Sequence, residues 1–131
     1  MINKQHKNVS PNIIKKILDY CITQKKFEQE TGDYLRTKTS SPNLYSNDLR
    51  HQYASAYTAK QLGQVPAYIL GGLNELFGYG TQKDTAIDTY NNKVGRQYAK
   101  KYPNYTKQEY LNALFNDNYK IKQQRIKELG F

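Results

Sequence analysis

Residues Asn47 to Gly95 read NDLRHQYASAYTAKQLGQVPAYILGGLNELFGYGTQKDTAIDTYNNKVG, and this stretch decides the fold. Its apolar positions recur at helical spacing, and no strand-like alternation persists. Leu49, Tyr53, Ala56, Tyr57 and Lys60 line one stripe, with His51, Ser55, Thr58 and Leu62 on the neighbouring one. Ser46 or Asn47 caps the start of this helix, and Gly63 stops it. Pro66 starts a second helix over 66–77, with Leu70, Leu73 and Phe77 as core candidates. A third spans 84–101, with Ile87, Tyr90, Val94 and Tyr98 inward.

Three features of this stretch are costly for a plain helical protein. Arg50-His51 opens an amphipathic segment. Glu75 follows the Gly71-Gly72 pair inside an apolar run, where each glycine costs about 1 kcal/mol relative to Ala. Asp84, Asp88, Asn91, Asn92 and Gly95 crowd one helical segment, and Asn-Asn followed by Gly is poor helix chemistry. The expectation is that these parts converge on one buried polar constellation, with the glycines allowing close approach.

Outward from there, Ser10-Pro11 is a helix start, and Ile13, Ile14, Ile17, Leu18, Cys21 and Ile22 repeat at helical spacing toward Thr31-Gly32. Cys21 reads as a buried thiol. Residues 32–46 read as a long irregular connection, an arm carrying Tyr34, Leu35, Leu44 and Tyr45. Tyr102-Pro103-Asn104 breaks the chain, and Thr106 with Glu109 forms a capping box. Leu111, Leu114 and Phe115 face inward, Asn116-Asp117-Asn118 kinks or splits the last helix, and Ile121, Ile126 and Leu129 continue it to Gly130. The resulting expectation is all-α: a single domain over 10–131, about five helices packed around a central polar network. Residues 44–99 are its motif core, and 1–9 a flexible basic N-terminus.

The bulk composition bounds the function. The chain has 131 residues and a formal net charge of +9. Both ends are basic: residues 1–45 hold eight Lys/Arg against four acids and 100–131 hold seven against three, while 46–99 hold five against four. Such a surface suits nucleic acid, anionic lipid or an acidic protein. Thirteen Tyr predict a core with a wet rim. A single Cys rules out an intrachain disulfide. The opening MINKQHKNVSPN has no apolar signal-peptide core, and no segment is apolar enough for a transmembrane span.

Three chemistries are open to the constellation. His51 can serve as a general base oriented by Asp88 or Glu75. His51, Glu75 and Asp88 can ligate a metal, although only two His occur and no HExxH spacing is present. Or Arg50 pairs with Glu75 or Asp88 as a structural tie, so that Arg50→Ala and Asp88→Ala would both lower the melting temperature sharply. No Walker loop, GxSxG, Rossmann fingerprint or CxxC occurs. No cofactor or metal is expected.

The pattern Asn47-x-x-Arg50-His51, a Gly-rich apolar helix ending in Asn74-Glu75, then Asp88-x-x-Asn91-Asn92-x-x-Gly95-Arg96 resembles a group of small helical domains. These occur in tailed-phage genomes and at the ends of bacterial secreted, toxin-like proteins. The resemblance covers residues 44–99. It implies catalytic roles for His51, Glu75 and Asp88 and a distant likeness to phospholipase A2-type helical folds. Beside them Arg50 with Asn91 or Asn92 can stabilise developing negative charge, and Arg50, Asn91, Asn92, Gly95 and Arg96 are the binding candidates. The chain departs from the phospholipase pattern in lacking disulfides and a glycine-rich calcium loop. The phage members imply a virion-associated or ejected accessory protein, located in the virion or host cytoplasm. It would act by binding a protein partner in a virion or host assembly, or nucleic acid through its basic ends. The alternative is a hydrolase-like effector using His51 with Asp88 or Glu75 on a phospholipid or cell-wall substrate.

Overall fold

The computed structural model describes residues 11–76 and 80–131, without the side chains of Pro11, Ile13, Ile14, Lys16, Ile17, Tyr20, Cys21, Asn74, Glu75 and Leu76. The flexible 1–9 segment, the burial of Cys21, the core role of Phe77 and the side chain of Glu75 therefore lie outside the described residues.

The described chain is all-helical, with no strand. It holds α1 (Pro11–Lys38), a 3-10 turn (Pro42–Leu44), α2 (Ser46–Leu62), α3 (Gln64–Leu76), α4 (Gln82–Lys101), α5 (Lys107–Asn116) and α6 (Asn118–Leu129). No described helix is long and apolar enough to cross a membrane.

The first helix runs past Gly32 to Lys38, not fading there as its sequence suggests. Tertiary burial overrides the glycine penalty: Phe27, Thr31, Tyr34 and Leu35 are all buried. The Thr31 hydroxyl donates to the Phe27 carbonyl within the helix, at 2.7 Å. The irregular connection shrinks to a few residues. The 3-10 turn feeds directly into α2, so Tyr45 takes the cap position with no side-chain cap. Ser46 and Asn47 lie inside the helix rather than capping it, and Asn47 turns toward α4.

Helix α4 starts two residues earlier than expected. Thr81 is its N-cap, and Asp84 is the reciprocal partner in a capping box. Asp84 is thus spent on the helix end rather than on the polar centre. The Thr106/Glu109 capping box forms as its spacing predicts. The last helix splits at Asp117, giving six α-helices rather than five among the described residues. Tyr98 donates its hydroxyl to Asp117 there.

Helix α2 is the axis of the packing, touching α1, α3, α4 and α5, most extensively α4. Leu49, Tyr53 and Ala56 of α2 meet Val94 and Ala99 of α4, Leu35 of α1, and Tyr110, Leu111 and Leu114 of α5 in one core. The wet rim is present. Tyr34 donates to Asn112 at 2.7 Å, Tyr53 to Glu30, and Tyr110 to the Tyr102 carbonyl. Burial pushes the Tyr53 phenol far above its ordinary range, reinforced by its bond to Glu30.

The crossing of α2 and α4 explains Gly95. A methyl group there would sit 2.1 Å from the Gln52 carbonyl oxygen and 2.8 Å from the Ala56 nitrogen. The two backbones touch, and only glycine fits. Gly71 plays a milder part, its Cα hydrogen facing Asn92. Gly72 meets nothing within 4 Å, so the pair does not act jointly as expected. Leu73 and Ile126 also point out rather than in.

Candidate functional site

His51 and Asp88 meet across the α2–α4 crossing. His51 Nε2 lies 3.4 Å from Asp88 Oδ2. One turn on, Ser55 Oγ donates to Asn92 Oδ1 at 3.1 Å. Both contacts advance in the same direction along the two helices, so α2 and α4 run parallel and α3 is the return segment between them. Parallel neighbours place residues four apart on one helix opposite residues four apart on the other. That is why 51 and 55 face 88 and 92.

His51 is only 7% exposed, yet it lines a cavity of about 130 Å³. Ser55 and Asn92 line it beside the imidazole. Arg50, Gln24, Lys25 and Glu28 form its polar rim, and Ala67, Leu70 and Gly71 of α3 close its apolar side. Asn92 shares a side-chain hydrogen bond with His51.

Burial lowers the His51 pKa below the ordinary imidazole value, with the Arg50 charge acting in the same direction. Asp88, the Asn92 bond and Asp48 act against it but do not win. His51 is therefore neutral at neutral pH, facing a carboxylate rather than forming an ion pair. Two neighbours meet His51 Nε2 at 3.4 Å: Asp88 Oδ2, which can only accept and favours a hydrogen there, and the Arg50 guanidinium, which can only donate. Asp88 is itself held by Asn47, whose Nδ2 donates to Oδ1 at 2.9 Å.

The anticipated single constellation is two branches. The second runs away from the cavity. Gln52 Nε2 donates to Asn91 Oδ1 at 2.9 Å, and Asn91 Nδ2 donates to Asp48 Oδ1 at 2.9 Å. Asp48 Oδ2 lies 3.6 Å from Arg125 and 4.0 Å from Lys122 of α6. Gln52 and Asn91 are almost fully buried, and Gln52 Oε1 has no partner. This branch ties α2, α4 and α6 together.

The remaining candidates fall in different places. Glu75 sits in the last turn of α3. Gly95 is the contact point of the crossing. Arg96 lies apart from the cavity, its guanidinium 5.1 Å from the centre of the Tyr68 ring. Arg50 does not tie the bundle through Asp88. It reaches Glu28 at 3.9 Å and Asn47 Oδ1 at 3.3 Å from the cavity rim, with His51 Nε2 3.4 Å away. Asp48, Gln52 and Ser55 are the residues that sequence reasoning underweighted. Their signal is a polar row at i, i+4 and i+7 on a helix whose Leu49, Tyr53 and Ala56 form the apolar stripe.

This division changes the stability expectation. Asp48 and Arg125 are both mostly buried, whereas Arg50 and Glu28 are substantially exposed. Asp48→Ala strands Arg125 and Asn91 together and is expected to cost roughly 3–5 kcal/mol. Arg50→Ala breaks a rim pair, expected at about 1 kcal/mol or less. Urea unfolding of the two variants, with m-values compared, checks the contrast.

Fold and site together define a class: a small all-α domain organised on a polar crossing of two parallel helices, with a buried His that lines a cavity and pairs with a half-buried Asp. Residues 9–123 match a domain of unknown function, DUF6973, and the chain belongs to that family. No curated protein and no solved structure matches it.

Proposed function

We propose that the chain is a hydrolase-like effector in which His51 is the general base and Asp88 its orienting partner. One observation carries this reading: His51 is buried against the half-buried Asp88, yet its imidazole lines a cavity. A pair serving stability alone gains nothing from reaching a cavity. A base poised to act must be neutral before reaction, and burial keeps His51 so.

The chemistry follows from the lining. A water in the cavity, within reach of Ser55, Asn92 and His51, gives its proton to the imidazole as it adds to an ester or amide carbonyl. The imidazolium formed is stabilised by Asp88. The developing oxyanion is met by Arg50 and Lys25 on the rim. Collapse breaks the bond to the leaving group, which takes the proton back from His51. Phospholipid and cell-wall bonds are the substrate classes. The test is hydrolysis of a panel of carboxylic esters, phospholipids and peptidoglycan amides by the wild type and His51→Gln. Turnover that disappears in His51→Gln supports the reading; no turnover on any member overturns it.

A second reading keeps the virion-associated or ejected accessory protein, acting by binding. It is favoured by α6, where the strongly exposed Tyr119 stands among Lys120, Lys122 and Lys127. That helix suits an acidic protein neighbour or nucleic acid. Mass spectrometry of purified particles together with a host pull-down decides between presence and absence of such a partner. The two readings are compatible, since α6 and the cavity lie on different sides of the α2–α4 crossing.

A further inference from the structure

Helix α3 has two apolar faces. Ala67, Leu70 and Gly71 face the cavity, whereas Val65, Tyr68, Ile69 and Leu73 face outward, 68%, 65%, 53% and 44% exposed. No charged residue occurs from Gln61 through Asn74. A helix apolar all round belongs against an apolar phase on both sides, and here only one side is covered by the chain. The stripe does not stand alone. Leu18 and Ile22 of α1 are also largely exposed, and both share a helical face with Lys25. Lys25 lines the cavity opposite Ala67 and Leu70. The exposed apolar residues of α3 thus adjoin the cavity wall, and Leu18 and Ile22 extend along the face of α1 that leads to Lys25.

Charge selects the occupant. The cations at this face are Lys25 and Arg50 on the rim, Arg96 packed over Tyr68 and Lys15 one turn before Leu18, against Asp19 and Glu28, of which Arg50 already engages the second. A second copy of a chain carrying +9 is repelled. An anionic bilayer is attracted, and it accepts aliphatic side chains below its headgroups and a Tyr–Arg pair at their level.

We infer that the outward face of α3, with Leu18 and Ile22 of α1, is an interfacial surface that seats the protein on an anionic phospholipid membrane and aims the His51 cavity at the lipid. The inference rests on the hydrolytic reading only for the use made of that seating. Its substrate class is then an ester of a membrane phospholipid, reached at the headgroup level.

The test is co-sedimentation of the full chain with phosphatidylcholine vesicles, with and without phosphatidylglycerol. Binding to the anionic vesicles is expected, and Val65→Asp/Ile69→Asp should lower the partition coefficient roughly ten-fold or more. Both positions are exposed, so the variant should keep the wild-type circular dichroism and melting curve. His51→Gln should bind as the wild type does. No binding to anionic vesicles, or binding that ignores the Asp pair, overturns the inference. So does a dimer on gel filtration that the same pair dissolves, since a second copy then covers the face. Vesicle binding without fatty-acid release leaves the surface standing and overturns the phospholipid ester as its substrate. Hydrolysis of soluble short-chain esters without vesicle binding does the reverse.

Discussion

Gly95→Ala should lower the melting temperature by roughly 10 °C or more. The added methyl would stand 2.1 Å from the Gln52 carbonyl oxygen and 2.8 Å from both the Ala56 nitrogen and Ser55 Cβ. Two of these three obstacles are backbone, so no rotamer change relieves the clash, and α2 must move off α4. Overpacking costs about 1–3 kcal/mol where side chains can adjust, and more where they cannot. The crossing carries the core contacts of Leu49, Tyr53 and Val94, so a shift is felt throughout. At roughly 3 kcal/mol the loss is a large share of the 5–15 kcal/mol typical of a domain. Gly72→Ala is the control. It meets nothing within 4 Å and lies inside a helix, so it should gain up to about 1 kcal/mol. Thermal melts of the two variants, side by side, separate a glycine required by packing from one that is not.

Asp88→Asn should reduce turnover by about 10²–10⁴ while leaving the fold intact. The amide is nearly isosteric and can still accept from Asn47. It can also present an NH₂ to His51 Nε2 in place of an acceptor, which favours the wrong tautomer. The sign of the accompanying pH effect is fixed. Asp88 raises the His51 pKa against the larger lowering by burial. Removing its charge therefore lowers that pKa further, and the acid limb of the rate profile should move to lower pH. Steady-state assays with melting curves check that the loss is catalytic rather than structural.

Much of the fold was legible because local rules and tertiary packing agreed. Thr106 and Glu109 announced a helix start, and Asp117 a break. Gly95 announced a close crossing. Agreement failed where packing overrode propensity. Gly32 reads as a helix end, but Tyr34 and Leu35 beyond it are buried and carry the helix on to Lys38. Ser46 and Asn47 read as caps, but the helix already begins at Ser46, with Tyr45 at the end of the 3-10 turn in the cap position.

The site was legible in its residues and not in its pairings. His51 and Asp88 stood out as costly groups on two helices. Which acid would meet the histidine depended on the crossing register, which Gly95 sets and single-helix periodicity does not reveal. A charge beside a buried histidine suggests a tie at the centre, yet the Arg50 side chain follows the rim toward Glu28. Asn91 and Asn92 are sequence neighbours that diverge by the helical rotation of about 100°, one to the sealed branch and one to the cavity.

The pH dependence of kcat/KM on a carboxylic ester substrate tests the His51–Asp88 base most directly. The account predicts a rate that rises through one acid limb lying below about pH 6.5, the ordinary imidazole value, and stays flat above it. The limb should coincide with the His51 titration followed by NMR and move to lower pH in Asp88→Asn. A limb above pH 7, or one that stays in place when Asp88 is neutralised, would contradict it.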